Sequence, residues 1–210
     1  MFVNTEKKFI WKNGEFLSWD NTNVHILSHT LHYGTGVFEG VRAYKTEKGA
    51  AIFRLSDHTT RLFDAASKIN IEIPFSKEEL NVIQCNILNQ NSLDEGYIRP
   101  IVYLGNEGLG LRAKDLSVNV AVAAWEWPSY MDPEAVEKGL KVRTSSYARH
   151  HVNATMCKAK ACGNYLNSML AFREANDSDC DEVIMLDTEG FVAEGSAENF
   201  FMVRDGIIYT

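Results

Sequence analysis

The sequence predicts an α+β protein in two parts, and three observations carry that reading. A β-hairpin signature stands near the start, KFIWKNGEFL, where Asn13-Gly14 divides two alternating apolar arms. Two amphipathic helices with capping residues follow, at 58–68 and 76–89, set among apolar strands. Beyond a helix at 163–175 the pattern changes to short strands joined by turns: VIMLD, FVAEGSAENFFMV and IIYT, an antiparallel meander.

Each element has a local reason. Within YGTGVFEG the three glycines Gly34, Gly36 and Gly40 lie among aromatics, a density that calls for close backbone approach, and a strand at Val41–Tyr44 follows. Ala50–Arg54 reads as a short strand. Ser56 or Asp57 then caps a helix whose apolar face is Leu62, Phe63, Ala66 and Ile69. Arg54 lies just before that helix, where free N–H groups gather anions. The next helix opens on Ser76 with Glu79 three positions on, a capping box. The strand IRPIVYLG follows, with Tyr97 and Arg99 sharing one face. Arg99 is read either as a bidentate carboxylate clamp or as the partner of a local glutamate. Gly105, Gly108 and Gly110 make a loose loop that opens no helix and so misses the dinucleotide fingerprint. Val118–Ala124 is a continuous apolar strand of the buried kind. Polar residues and Pro133 then mark a domain boundary near 128–138, giving domains of 1–130 and 131–210. Leu140–Tyr147 reads as the next strand.

Composition excludes several classes. The 210 residues suffice for a sizeable core, and 45% hydrophobic with 23% charged residues is ordinary for a globular protein. A formal charge of −7 with no basic run argues against nucleic acid as a partner. No stretch has the length of a signal-peptide core or a membrane span. Cys85, Cys157, Cys162 and Cys180 show neither metal-type pairing nor a dense disulfide pattern, which fits a reducing compartment and a cytoplasmic enzyme. His25, His29 and His32 lack a carboxylate or cysteine at ligand spacing, so no metal is expected.

The run MCKAKACGNYLNSMLA, from Met156 to Ala171, is the chemically suggestive stretch. Lys158 and Lys160 sit in a nearly uncharged run before a small-residue turn and a helix carrying Leu166, Met169 and Leu170. Two readings stand side by side: surface lysines on an edge strand, or a sheltered amine that attacks a carbonyl. Glu194, before Gly195-Ser196-Ala197-Glu198-Asn199, is likewise a turn residue or the partner of a cationic heterocycle.

Taken together, HYGTGVFEGVRAY, the RL...RLF helix start, YIRP, KAKACGNYLNS and DTEGFVAEGSAENFF resemble the branched-chain aminotransferases, pyridoxal-phosphate enzymes of fold type IV. The resemblance implies a small α/β N-terminal domain, a larger barrel-like C-terminal domain, a cofactor at their junction and a homo-oligomer. It implies transamination of leucine, isoleucine and valine with 2-oxoglutarate. By position, Lys160 takes the Schiff-base lysine's place, while Lys158 does not. Tyr165 meets the cofactor's phenolic oxygen, Glu194 its pyridine nitrogen and Arg54 its phosphate. The same resemblance implies that Tyr97 and Arg99 bind substrate carboxylate. Tyr33, Phe38, Trp127 and Tyr130 wall the pocket, with Tyr33 reaching in from a second subunit. A D-amino-acid aminotransferase and an aminodeoxychorismate lyase share the fold and remain alternatives. The chain reads as lacking the family's C-terminal third, whose loops finish the phosphate cradle. A catalytically inert fragment is therefore a further alternative.

Overall fold

The computed structural model describes residues 8–127 and 137–210. Two compact units are distinguished: 8–127 with Lys158–Gly163, and 137–157 with 164–210.

The first unit is built on an antiparallel sheet. Strands β1 (Phe9–Lys12) and β2 (Glu15–Ser18) form the expected hairpin around Asn13-Gly14, both residues at positive φ. A short helix, α1 (His29–Tyr33), ends on Gly34 in the left-handed region. Then come β3 (Gly36–Phe38), β4 (Val41–Thr46), β5 (Gly49–Ile52), helices α2 (Leu55–Lys68) and α3 (Lys77–Gln90), and the long strands β6 (Gly96–Leu104) and β7 (Val118–Trp125). The order across the sheet is β2-β1-β7-β6-β4-β5. Strand β3 pairs with Ile101–Tyr103 of β6 and β4 with Gly96–Ile98, so the two lie one after the other along the same partner.

Alternation along these strands gives the sheet two faces. Val37, Val41, Ala43, Ile98, Val102, Val120, Val122 and Ala124 are buried and join Leu62, Ala65, Ala66, Leu80, Ile87 and Leu88 of α2 and α3 in one core. The opposite face carries Phe38, Tyr97, Arg99 and Trp125. Helix α3 has the capping box that its sequence promises: Ser76 Oγ accepts from Glu79 N at 3.1 Å and Glu79 Oε2 accepts from Ser76 N at 2.7 Å. At its far end the buried Asn91 side chain fastens the sheet, accepting from Phe9 N and donating to the carbonyls of Phe9 and Ala124.

Helix α2 departs from expectation. It starts at Leu55 rather than His58, and its N-cap is Arg54, in the left-handed region with φ 51°. Asp57, read as a capping residue, instead takes the Arg54 guanidinium at 2.7 Å.

In the second unit β8 (Val142–Thr144) runs parallel to β9 (Glu182–Leu186), and β10 (Val192–Glu194) is antiparallel to β9. Helix α4 (Tyr165–Asp177) supplies Ala171 and Ala175 to a small core with Val183 and Met185. Two expectations are corrected, the extent of the strand at Leu140–Tyr147 and the single meander. The strand over Leu140–Tyr147 shrinks to Val142–Thr144, because Ser145 Oγ, Ser146 N and Ser146 Oγ bend away to donate to Glu174 on α4. The helix turns its small residues inward, while Leu166 and Met169 are 66% and 71% exposed. The meander is split: β11 (Met202–Arg204) and β12 (Ile207–Tyr209) pair only with each other. No helix of the described residues is long and apolar enough to cross a membrane.

Candidate functional site

The lysine segment is bound edge-on to strand β3. Phe38 N donates to the Lys160 carbonyl at 3.1 Å, Val37 forms a bridge with Ala161, and Gly163 N donates to the Gly34 carbonyl at 3.2 Å. The glycines that seemed to await a close neighbour have one. A Cβ on Gly34 would lie 2.6 Å from Gly163 Cα, and one on Gly36 would lie 3.2 Å from Cys162 Sγ. Pairing also sorts the two lysines. Ala159 is buried, Lys160 is half-buried with its Nζ 5.3 Å from the Phe38 ring centroid, and Lys158 is exposed.

The Phe38 ring has a second cation on it. Arg99 Cζ lies 4.5 Å from its centroid, inside the range of a cation–π contact. Arg99 Nη2 also donates to Tyr97 Oη at 2.9 Å, and Arg99 Nε is buried with no hydrogen-bond partner among the described residues. No ion pair to a local glutamate engages Arg99 there. Tyr97 stacks 4.9 Å from Trp127 and 5.2 Å from Trp125, which extends an aromatic wall from the same sheet face. Gly40 makes room for this arrangement: a Cβ there would stand 2.0 Å from Tyr97 Oη. Phe38, Tyr97, Arg99, Trp127 and Lys160 are thus brought together in the first unit.

Other predicted residues stand apart from that cluster. Tyr33 is 41% exposed at the end of α1, accepts from Gly110 N at 3.0 Å, and stacks 4.5 Å from His29. Arg54 lies at the exposed start of α2 with Asp57, whose hydrogen bond and negative charge raise the guanidinium's pKa. Tyr130 falls outside the described residues. His29 bonds Thr35 Oγ1 and the Gly110 carbonyl, while His32 bonds the Ile26 carbonyl. No cluster among the described residues has metal-ligand character.

In the second unit Tyr165 opens α4 and Glu194 ends β10. Glu194 Oε1 pairs with Arg149 Nε at 2.5 Å, with the two side chains 32% and 21% exposed. Arg149 Nη1 reaches Asn167 Oδ1 at 3.0 Å and Ser168 Oγ at 3.1 Å on α4.

Sequence reasoning missed two ionic groups. Glu39 is fully buried on the core face and is held by Arg61 through Nε at 2.5 Å and Nη2 at 2.7 Å, and by His58 Nδ1 at 3.0 Å. Burial alone would push its carboxyl up. Hydrogen bonds from His58 and Arg61, with their charge, outweigh it and hold the pKa below the usual value. The signal was present: Glu39 occupies the same alternating set as Val37, Val41 and Ala43, which demands a cationic partner inside. The Arg149–Glu194 pair joins residues distant in sequence and left no such signal.

A sequence profile described as amino-transferase class IV matches residues 36–210. The chain belongs to the class IV aminotransferase family. Its fold is fold type IV. The chain is 55% identical over 201 residues to a branched-chain-amino-acid aminotransferase of Pseudomonas aeruginosa, covering 96% of this chain and 66% of that protein. It is 40% identical over 209 residues to the corresponding Escherichia coli enzyme, covering 98% of this chain and 68% of that one. The Escherichia coli crystal structure superimposes with a TM-score of 0.94 at 40% identity, over 97% of this chain and 67% of its own. The T.th. branched-chain amino acid aminotransferase complexed with N-(5'-phosphopyridoxyl)-L-glutamate does so with a TM-score of 0.91 at 46% identity, over 97% and 66%. This class IV aminotransferase chain therefore spans about two thirds of the length of such relatives, 66% in the Pseudomonas case.

Proposed function

We propose that the chain serves pyridoxal 5'-phosphate-dependent transamination of branched-chain L-amino acids (leucine, isoleucine and valine) with 2-oxoglutarate, yielding branched 2-keto acids and L-glutamate. The observation that carries the reading is the placement of Lys160, backbone-paired to β3 with its amine beside Phe38, where Lys158 is left in solvent. The groups of the first unit suit the cofactor and its substrate: a half-buried amine, and a buried guanidinium nitrogen with no hydrogen-bond partner among the described residues.

When bound, the cofactor supplies an electron sink for charge developing at the substrate's α-carbon. Lys160 would hold it through its amine, and the same amine, when free, would take the α-proton as a general base and return it as an acid. Glu194 places a carboxylate for the ring nitrogen, and Tyr165 its hydroxyl for the phenolic oxygen. Arg99, its guanidinium plane held by Phe38 and Tyr97, receives a substrate carboxylate; such a charged, two-toothed contact suits arginine better than lysine. Phe38, Trp127 and Tyr130 wall the apolar side, with Tyr33 reaching in from a second subunit. For the phosphate, Arg54 remains the sequence-based candidate. Arg61 is a second one, because α2 holds it on Glu39, the residue after Phe38. A homo-oligomer is supported by large apolar side chains left exposed, among them Ile26, Leu31, Tyr33 and Leu111. A cytoplasmic location is supported by cysteines that are all free.

The test is the visible absorbance of protein incubated with pyridoxal phosphate. Lys160→Ala abolishes the lysine-dependent band and Lys158→Ala keeps it; the reverse outcome removes Lys160 from the mechanism. Arg54→Ala and Arg61→Ala, titrated with the cofactor in the same assay, identify the phosphate ligand by which one weakens retention. Keto-acid formation from L-leucine, against D-alanine and aminodeoxychorismate, fixes the substrate class.

A further inference from the structure

Arg149, in the second unit, makes several side-chain contacts that the proposed mechanism leaves idle. Its backbone N–H donates to the Leu186 carbonyl at 2.7 Å, at the end of β9. Its Nη1 grips Asn167 and Ser168 in the first turn of α4, and Asn167 in turn donates to the Ala148 carbonyl at 3.1 Å. Its Nε meets Glu194 Oε1 at 2.5 Å. Arg149 thus meets β9 through its backbone, while its one planar guanidinium links β10 to the start of α4, where Tyr165 stands. Glu194 needs such a restraint. It ends a three-residue strand, next to a register shift against β9, and its side chain keeps 32% of its surface accessible. A carboxylate there has several rotamers open to it unless a fixed partner selects one.

We propose that Arg149 is a positioning residue for Glu194: it commits Oε1, presents the other carboxylate oxygen in one orientation, and ties that orientation to the helix bearing Tyr165. This rests on the reading of Glu194 as the partner of the cofactor's ring nitrogen. The neighbouring ionisable group is His150, whose pKa is lowered by burial and by the Arg149 charge. Lysine could replace the charge of Arg149 but not its fork, so Arg149→Lys restores the function in part.

Two measurements decide the matter. The first is the pH midpoint of the bound cofactor's absorbance band in Arg149→Met, Arg149→Lys, Glu194→Gln and the Arg149→Met/Glu194→Gln double variant. Arg149→Met moves the midpoint in the same direction as Glu194→Gln, Arg149→Lys moves it less, and the double variant shifts no further than Glu194→Gln alone. The second is thermal unfolding without cofactor, where Glu194→Gln lowers the midpoint less in the Arg149→Met background than in the unsubstituted protein. A band whose midpoint ignores Arg149→Met, or shifts that simply add, overturns the positioning role while leaving the cofactor reading intact. No Lys160-dependent band in the unsubstituted protein, with the thermal coupling present, sinks the cofactor reading and this role with it.

Discussion

Gly40 and Tyr97 show how a single missing methyl group shapes a candidate site. The Tyr97 hydroxyl occupies the place of a Gly40 Cβ, 2.0 Å away, and from there accepts from Arg99. Gly40→Ala must push the phenol aside and break that contact. Losing a hydrogen bond to a charged group costs about 1.5–3 kcal/mol, so the apparent KM for the amino acid rises about tenfold or more. Cofactor retention stays near that of the unsubstituted protein, since Lys160 is not displaced. Parallel titrations with cofactor and with substrate check both halves. Loss of cofactor binding together with substrate affinity would contradict this separation. Arg149 belongs to the same scale, because one side chain there sets the orientation of another.

At the level of elements, the first sheet depends on a side chain that belongs to no strand. Asn91, 4% exposed just past α3, replaces backbone pairing at the end of β1 by bonding Phe9 N, Phe9 O and Ala124 O at 2.8–3.0 Å. Asn91→Ala removes the partner of one donor and two acceptors, part-buried at Phe9 and buried at Ala124. We expect about 2–3 kcal/mol of lost stability by urea denaturation. Asn91→Asp is expected to be worse, because it turns two donated bonds into carboxylate–carbonyl repulsion. A change within the scatter typical of exposed substitutions would show that water satisfies those groups instead. Helix α4 adds a lesson about faces. Its helical period was legible, yet the side turned inward carries Ser168, Ala171 and Ala175 rather than Leu166 and Met169. Small residues let a helix pack close on a sheet, and that choice depends on the partner surface.

For the molecule as a whole, acid stability follows from carboxylates held in place. Glu39 is depressed below its usual 4.5, although burial alone would raise it, because His58 and Arg61 hydrogen-bond to it. Glu174, in the second unit, is lowered from 4.5 to about 2 by hydrogen bonds from Ser146 and Ser145. A carboxyl whose folded pKa lies below its unfolded value contributes stability above the unfolded pKa, and the contribution disappears as pH falls through the folded one. Stability should therefore fall between about pH 5 and 2. Glu39→Gln lowers stability at neutral pH and flattens that acid limb, and Glu174→Gln flattens it further. Denaturation midpoints across the range test this. An unchanged slope in both variants would place the acid-sensitive groups elsewhere.

By itself the sequence determined what short-range physics controls: the Asn13-Gly14 hairpin, the Ser76–Glu79 capping box, the shared face of Tyr97 and Arg99, and the motifs that mark the family. Glycine spacing announced a close backbone neighbour without saying which. Only the tertiary structure supplied it, by laying Lys160–Gly163 along β3, which separated Lys160 from Lys158. It alone also turned Arg54 to Asp57, enclosed Glu39 between His58 and Arg61, and set Arg149 against Glu194. Ion pairs of long side chains carry no periodic trace in the chain. Their partners are chosen by which elements meet, and that is decided by packing.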